Sequence, residues 1–95
     1  MSVARVTTLK FKSKEGADQI EETYKVSAPS EFPEAEQLLE VRIDDKTLIF
    51  VSLYADNDAM ERASASRTKR MDLNKDLIDS IDGKTGEVIL NHSNQ

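Results

Sequence analysis

Thr47-Leu48-Ile49-Phe50-Val51-Ser52-Leu53-Tyr54-Ala55 is the stretch on which the fold turns. Its β-branched and aromatic residues suit a strand. Side chains alternate across a strand, so Leu48, Phe50, Ser52 and Tyr54 point one way and Thr47, Ile49, Val51 and Leu53 the other. Both sets are mostly apolar, so both faces of the sheet need a cover. Two helices in a chain of 95 residues can cover one face. A second copy of the sheet is the simplest cover for the other, and the pattern therefore predicts a homodimer.

Immediately upstream, Gln37 to Asp44 reads as a strand, joined to the first by the turn Asp44-Asp45-Lys46. With Asp45 and Lys46 as the loop, Ile43 would face Leu48, Val41 would face Phe50 and Leu39 would face Ser52. Further back, Val3 to Lys12 reads as another strand. Lys14 to Val26 reads as a helix, with Ser13 as its N-cap and Gly16 as a weak point. Its apolar stripe is narrow: Ala17, Ile20, Tyr24 and Ala28, at helical spacing. Pro29 and Pro33 are predicted to end that helix and to bracket a connection holding Phe32.

Downstream, Asp56 or Asn57 is placed to cap a long helix reaching Ile81, with Asp58 and Glu61 near its positive end. Met60, Ala63, Met71, Leu77, Ile78 and Ile81 form its core stripe. Polar residues interrupt the stripe midway: Arg67 and Asn74, or in the neighbouring register Ser66 and Arg70. Asp82-Gly83-Lys84-Thr85-Gly86 reads as a turn, Glu87 to Leu90 as a last strand and Asn91 to Gln95 as a polar tail. The order is strand, helix, strand, strand, helix, strand. The expectation is one α+β domain over residues 1–95, a ferredoxin-like βαββαβ antiparallel sheet with both helices on one face.

Composition narrows the function. With 38% hydrophobic and 33% charged residues the chain has enough apolar material to fold, which argues against disorder. A net charge of −5 disfavours a phosphate backbone as partner, so no nucleic acid is expected. The cluster Arg67, Lys69 and Arg70 reads as one turn of a solvated helix. No cysteine is present, which excludes disulfides, thiol catalysis and cysteine zinc sites. The N-terminal residues lack the apolar run of a signal peptide, and no stretch approaches a membrane span, so the cytoplasm is the expected compartment and no membrane partner is expected.

Motifs for common chemistry fail on spacing. Gly83-Lys84-Thr85 lacks the glycine that a phosphate-binding loop needs at position 78, where Ile stands. The same stretch fails as a calcium loop, because Ile78 and Ser80 fill oxygen-donor positions. His92 is the sole histidine and lies in the tail, so no metal site is expected. Asp72, Asp76 and Asp79 read as a charged helix face.

With this order of elements, Phe32-Pro33-Glu34-Ala35-Glu36-Gln37-Leu38-Leu39 followed by Leu48 to Asp56 resembles the antibiotic-biosynthesis-monooxygenase-like family of dimeric α/β barrel proteins. Asp58-Ala59-Met60-Glu61 resembles the start of that family's helix after the third strand. The resemblance implies a homodimer with sheets face to face and, in some members, cofactor-independent oxygenation of electron-rich aromatic molecules. Relatives that degrade haem use a tryptophan, a histidine and an asparagine. This chain has no tryptophan and only His92, so it departs from that pattern, and no cofactor is expected.

The candidate pocket lies between helices and sheet. Phe32, Phe50, Ser52, Tyr54 and Met60 are its expected walls, with Tyr24 from the first helix and Arg67, Arg70 or Asn74 from the second. An apolar wall with a few polar groups suits a small aromatic ligand held as a phenolate or enolate. The competing reading is a non-catalytic ligand-binding, accessory or regulatory dimer, in which Tyr24 and Tyr54 are core residues and the arginines extend to water.

Overall fold

The computed structural model describes residues 2–94. Strand β1 (Val3–Phe11) leads into helix α1 (Lys14–Glu31), then strands β2 (Ala35–Asp44) and β3 (Thr47–Tyr54). Two shorter helices follow, α2 (Asn57–Arg62) and α3 (Ser64–Asn74), then a single 3-10 turn over Lys75–Leu77 and strand β4 (Ile78–Glu87). The four strands form one sheet in the order β2-β3-β1-β4, with every neighbouring pair antiparallel. This is the expected ferredoxin-like α+β arrangement.

The core lies between the helices and one sheet face. Leu48, Phe50 and Tyr54 of β3 meet Val3, Leu9 and Phe11 of β1 and the α1 stripe Ala17, Ile20, Tyr24 and Ala28. The Ser13 hydroxyl accepts from the Gly16 amide at 3.0 Å and the Asp56 carboxylate from the Ala59 amide at 2.8 Å, so both expected caps form. The opposite sheet face carries Val6, Leu39, Val41, Ile49 and Val51; among the described residues, none of these five belongs to the core, and Val6, Leu39 and Val41 are exposed. Among the described residues, no helix is long and apolar enough to cross a membrane.

Four expectations are corrected. First, α1 does not stop at Val26 but runs through Pro29 to Glu31. The proline forfeits only one helical bond, and the extra turn brings Ala28 and Phe32 into the core, both under a tenth exposed. Second, the hairpin pairs Asp44 with Thr47, as the two-residue loop demands, but Ile43 is then an extra residue, so Arg42 faces Leu48 and Glu40 faces Phe50. Leu39 and Val41 are thereby turned to the outer face, opposite Val51 and Ile49.

Third, the long helix is broken at Ala63 and ends at Asn74. Fourth, Gly83-Lys84-Thr85-Gly86 is not a turn but the middle of β4, while Ile89 and Leu90 lie outside the strand and are exposed. The free edge of β1 needs a partner of matching length, and pairing along Val3 to Phe11 outweighs the local turn preference of the glycines.

Candidate functional site

Between the sheet and the helices lies a cavity of about 70 Å³, partly open to solvent. The strand period of two brings Arg5, Thr7 and Leu9 of β1 to it alongside Phe50, Ser52 and Tyr54 of β3. From α1, Ile20 and Tyr24 reach it one turn apart, with Phe32 just past the helix end. From α3 come Arg67, Arg70, Met71 and Asn74, and from β4 comes Ile78.

The sequence-predicted residues Tyr24, Phe32, Phe50, Ser52, Tyr54, Arg67, Arg70 and Asn74 thus share one cavity. Met60 does not line it; the break at Ala63 sets α2 apart from α3, and Met60 packs against the core instead. The expectation that Arg67 and Arg70 stand on a solvated turn is likewise corrected, for only Lys69 of that cluster is exposed. Arg5 and Thr7 escaped the sequence reading, because a strand assignment alone did not show which face of β1 meets the helices.

Arg70 is held from several directions. Its Nε donates to Glu31 Oε2 at 2.9 Å, its Nη2 donates to the Ser27 hydroxyl, and its guanidinium lies 5.1 Å from the centre of the Tyr24 ring. Ser27 and Glu31 belong to the extra helical turn around Pro29, so that turn is what aims Arg70. Asn74 Nδ2 donates to the Arg70 carbonyl at 2.8 Å. The remaining Nη1 of Arg70 is buried without a partner. Arg67 Nη2 donates to the Met60 carbonyl at 3.2 Å.

Arg5 Nε is also buried without a partner. Burial, helped by the Arg67 charge, lowers the Arg5 pKa, with Tyr54 acting the other way. Burial raises the Tyr24 pKa, against the Ser52 hydroxyl and the Arg70 charge. The Tyr24 and Phe50 rings meet edge to face, 4.6 Å between centres. Among the described residues, no carboxylate and no histidine lines the cavity. Among the described residues, no group of three or more histidine or acidic side chains could hold a metal ion.

Glu40 stands nearby on β2, opposite Phe50, and both its carboxylate oxygens are buried without a partner. Burial first, then the charge of Glu21, pushes its pKa from 4.5 up to about 7. A raised folded-state pKa means that its neutral form favours the fold. That contribution is complete below pH 4.5 and is lost as pH rises through about 7. Glu40→Gln is therefore expected to raise Tm at pH 8 by a few degrees, on the order of 4 °C, and to leave it unchanged at pH 4. Calorimetry at the two pH values checks this, and an equal shift at both would remove the ionisation as its cause.

No protein-family profile matches the sequence, and no curated protein matches it. Solved structures do match in shape. A dimeric ferredoxin-like protein from an uncultured marine organism has a TM-score of 0.80 at 9% identity, over 99% of this chain and 93% of that one. A candidate antibiotic biosynthesis monooxygenase from Chloroflexus aurantiacus has a TM-score of 0.77 at 9% identity, over 98% of each chain. SnoaB, a cofactor-independent oxygenase from Streptomyces nogalater, has a TM-score of 0.76 at 15% identity, over 95% of each. At such identities the likeness is one of fold: the chain has the ferredoxin-like architecture found in dimeric α/β proteins, antibiotic-biosynthesis-monooxygenase-like proteins among them.

Proposed function

We propose that this chain is a homodimeric, cofactor-independent oxygenase that binds a small electron-rich phenol in the cavity as its phenolate. The observation that carries the reading is the unpartnered Nη1 of Arg70, buried at the edge of an aromatic- and aliphatic-walled cavity without a lining carboxylate. Glu31 offsets the Arg70 charge, but the buried Nη1 still lacks an acceptor, and a charged donor prefers an oxygen anion there. The same preference lowers the pKa of a bound phenol, and its proton leaves to water at the open side. Phe50, Phe32 and Ile20 hold the ring, and Tyr24 braces Arg70 from behind.

A phenolate is rich in electrons at the para carbon. That carbon attacks dioxygen and forms a C–O bond. Loss of the para hydrogen and cleavage of the O–O bond then leave a quinone and one water. For 1-naphthol the balance is one naphthol plus one O₂ to one 1,4-naphthoquinone plus one H₂O, with no added reductant. The cavity is smaller than the roughly 150 Å³ of a dry cavity that takes benzene, so part of such a ligand occupies the open mouth.

The family's fold supports the dimer, with the apolar outer sheet face as its contact. A chain without cysteine suits the reducing cytoplasm, where we place it. An oxygen electrode with 1-naphthol tests the activity, with mass spectrometry of the product made under ¹⁸O₂. One O₂ consumed per naphthol and one heavy atom in the quinone are expected. Binding of 1-naphthol without uptake above the buffer rate would sink the oxygenase and leave a carrier or regulatory dimer, which the lack of a lining base also favours.

A further inference from the structure

The cavity holds two further guanidinium groups that the phenolate does not use. Arg5 of β1 and Arg67 of α3 both line it. Among the described residues, Arg42 and Arg70 have carboxylate partners, whereas neither Arg5 nor Arg67 has one. Arg5 Nε is buried and unpartnered, and the Arg67 charge is near enough to act on Arg5. Two guanidinium groups without carboxylate partners, one from the sheet and one from α3, repel each other across the cavity unless an anion lies between them.

Gly83 shows that the placement of Arg5 depends on room made for it. A Cβ at position 83 would lie 2.6 Å from Arg5 Nη2 and 3.1 Å from its Cζ. Gly83 is not in a left-handed conformation, so the backbone itself does not call for glycine there. The space does. With no side chain at 83, the Arg5 guanidinium lies against β4, and its Nε is buried without a partner.

We infer that Arg5 and Arg67 form a carboxylate subsite, so that the ligand of this cavity is a phenolic acid with its hydroxyl at Arg70 and its carboxylate at Arg5. The inference rests on the phenolate reading for one end of the ligand only. A planar carboxylate matches the two-pronged donor edge of a guanidinium. The aromatic side chains Tyr24, Phe32, Phe50 and Tyr54 in the lining suit the flat ring that would carry it.

Titration calorimetry of the full chain with phenol, benzoate and 3- and 4-hydroxybenzoate tests this. The better hydroxybenzoate isomer is expected to bind about tenfold more tightly than phenol, as one added charge-assisted contact implies. Arg5→Met is expected to bring that ratio to about one. Gly83→Ala is expected to do the same by displacing the guanidinium while keeping its charge. Gly83 is exposed, so this second variant decides the matter even where Arg5→Met fails to fold. A hydroxybenzoate advantage absent from the wild type, or one that survives Gly83→Ala, would overturn the subsite. The two readings separate cleanly. Phenol bound through Arg70 with benzoate not bound would overturn the subsite and keep the phenolate site. Benzoate bound through Arg5 with phenol not bound would do the reverse.

Discussion

Val6→Lys is expected to convert the protein from twice the chain mass to once, read by light scattering on a sizing column at micromolar concentration. Val6 is on a central strand and points away from the helices, opposite Val51. It is 42% exposed in the single chain, and Leu39 and Val41, beyond β3 on the same face, are each 44% exposed. With the half-buried Ile49 and Val51 they make an apolar face that water would otherwise cover. A two-fold contact carries each substitution twice. Each ammonium group buried without a partner costs several kcal/mol, and Lys84, the neighbour of Val6 on β4, adds a like charge to the same face. The single chain tolerates the change, since position 6 is already near half exposed. A wild type that runs as a monomer, or a Val6→Lys protein that stays dimeric, would remove this face as the contact.

Arg70→Met should weaken phenol binding by about 30-fold, equivalent to roughly 2 kcal/mol for a hydrogen bond to a charged group. Methionine keeps much of the stem's volume and packing. It removes the free Nη1 that the phenolate needs, the ion pair with Glu31 and the cation over the Tyr24 ring. Arg70→Lys should recover part of the affinity, because a point charge remains but the fork does not. Glu31 is 41% exposed, so water takes over its charge when the arginine is removed and the lost pair costs little. Both proteins should therefore melt within a few degrees of the wild type, and a loss of binding will not reflect unfolding. Equal affinity for phenol in all three would show that Arg70 faces no ligand.

Much of this architecture is legible in the sequence, and the reasons are local. The two-sided pattern from Thr47 to Tyr54 identifies the central strand because side-chain alternation depends on nothing outside it. The caps at Ser13 and Asp56 are equally self-contained. Three of the failures turn on a pairing or packing contact that the local pattern does not show. Gly83 and Gly86 look like a turn until β1 supplies an edge to pair with. Pro29 looks like a helix end until Ala28 and Phe32 find a core to enter. Ile43 looks paired until the bulge shifts Leu39 and Val41 to the outer face.

The site divides in the same way. Arg67, Arg70 and Asn74 stand out as polar breaks in an apolar stripe, and Phe50, Ser52 and Tyr54 follow from the strand period. Arg5 gives no such signal: an arginine in a strand that alternates imperfectly is ordinary until the helices show which face is covered. Glu40 is invisible for a related reason, since only the bulge at Ile43 places it opposite Phe50.

The polar composition of β4 has a consequence for how copies of this chain meet. The strand lies at one end of the sheet order and leaves one side of its backbone unpaired. An unpaired strand edge is a template on which another chain can add, and long apolar edges seed fibrils. Asp79, Asp82, Lys84 and Glu87 put charge along this edge, and Gly83 and Gly86 lower its strand preference. At this edge, charge and glycine disfavour open-ended strand addition, whereas contact through the flat of the sheet is two-fold and closes on itself.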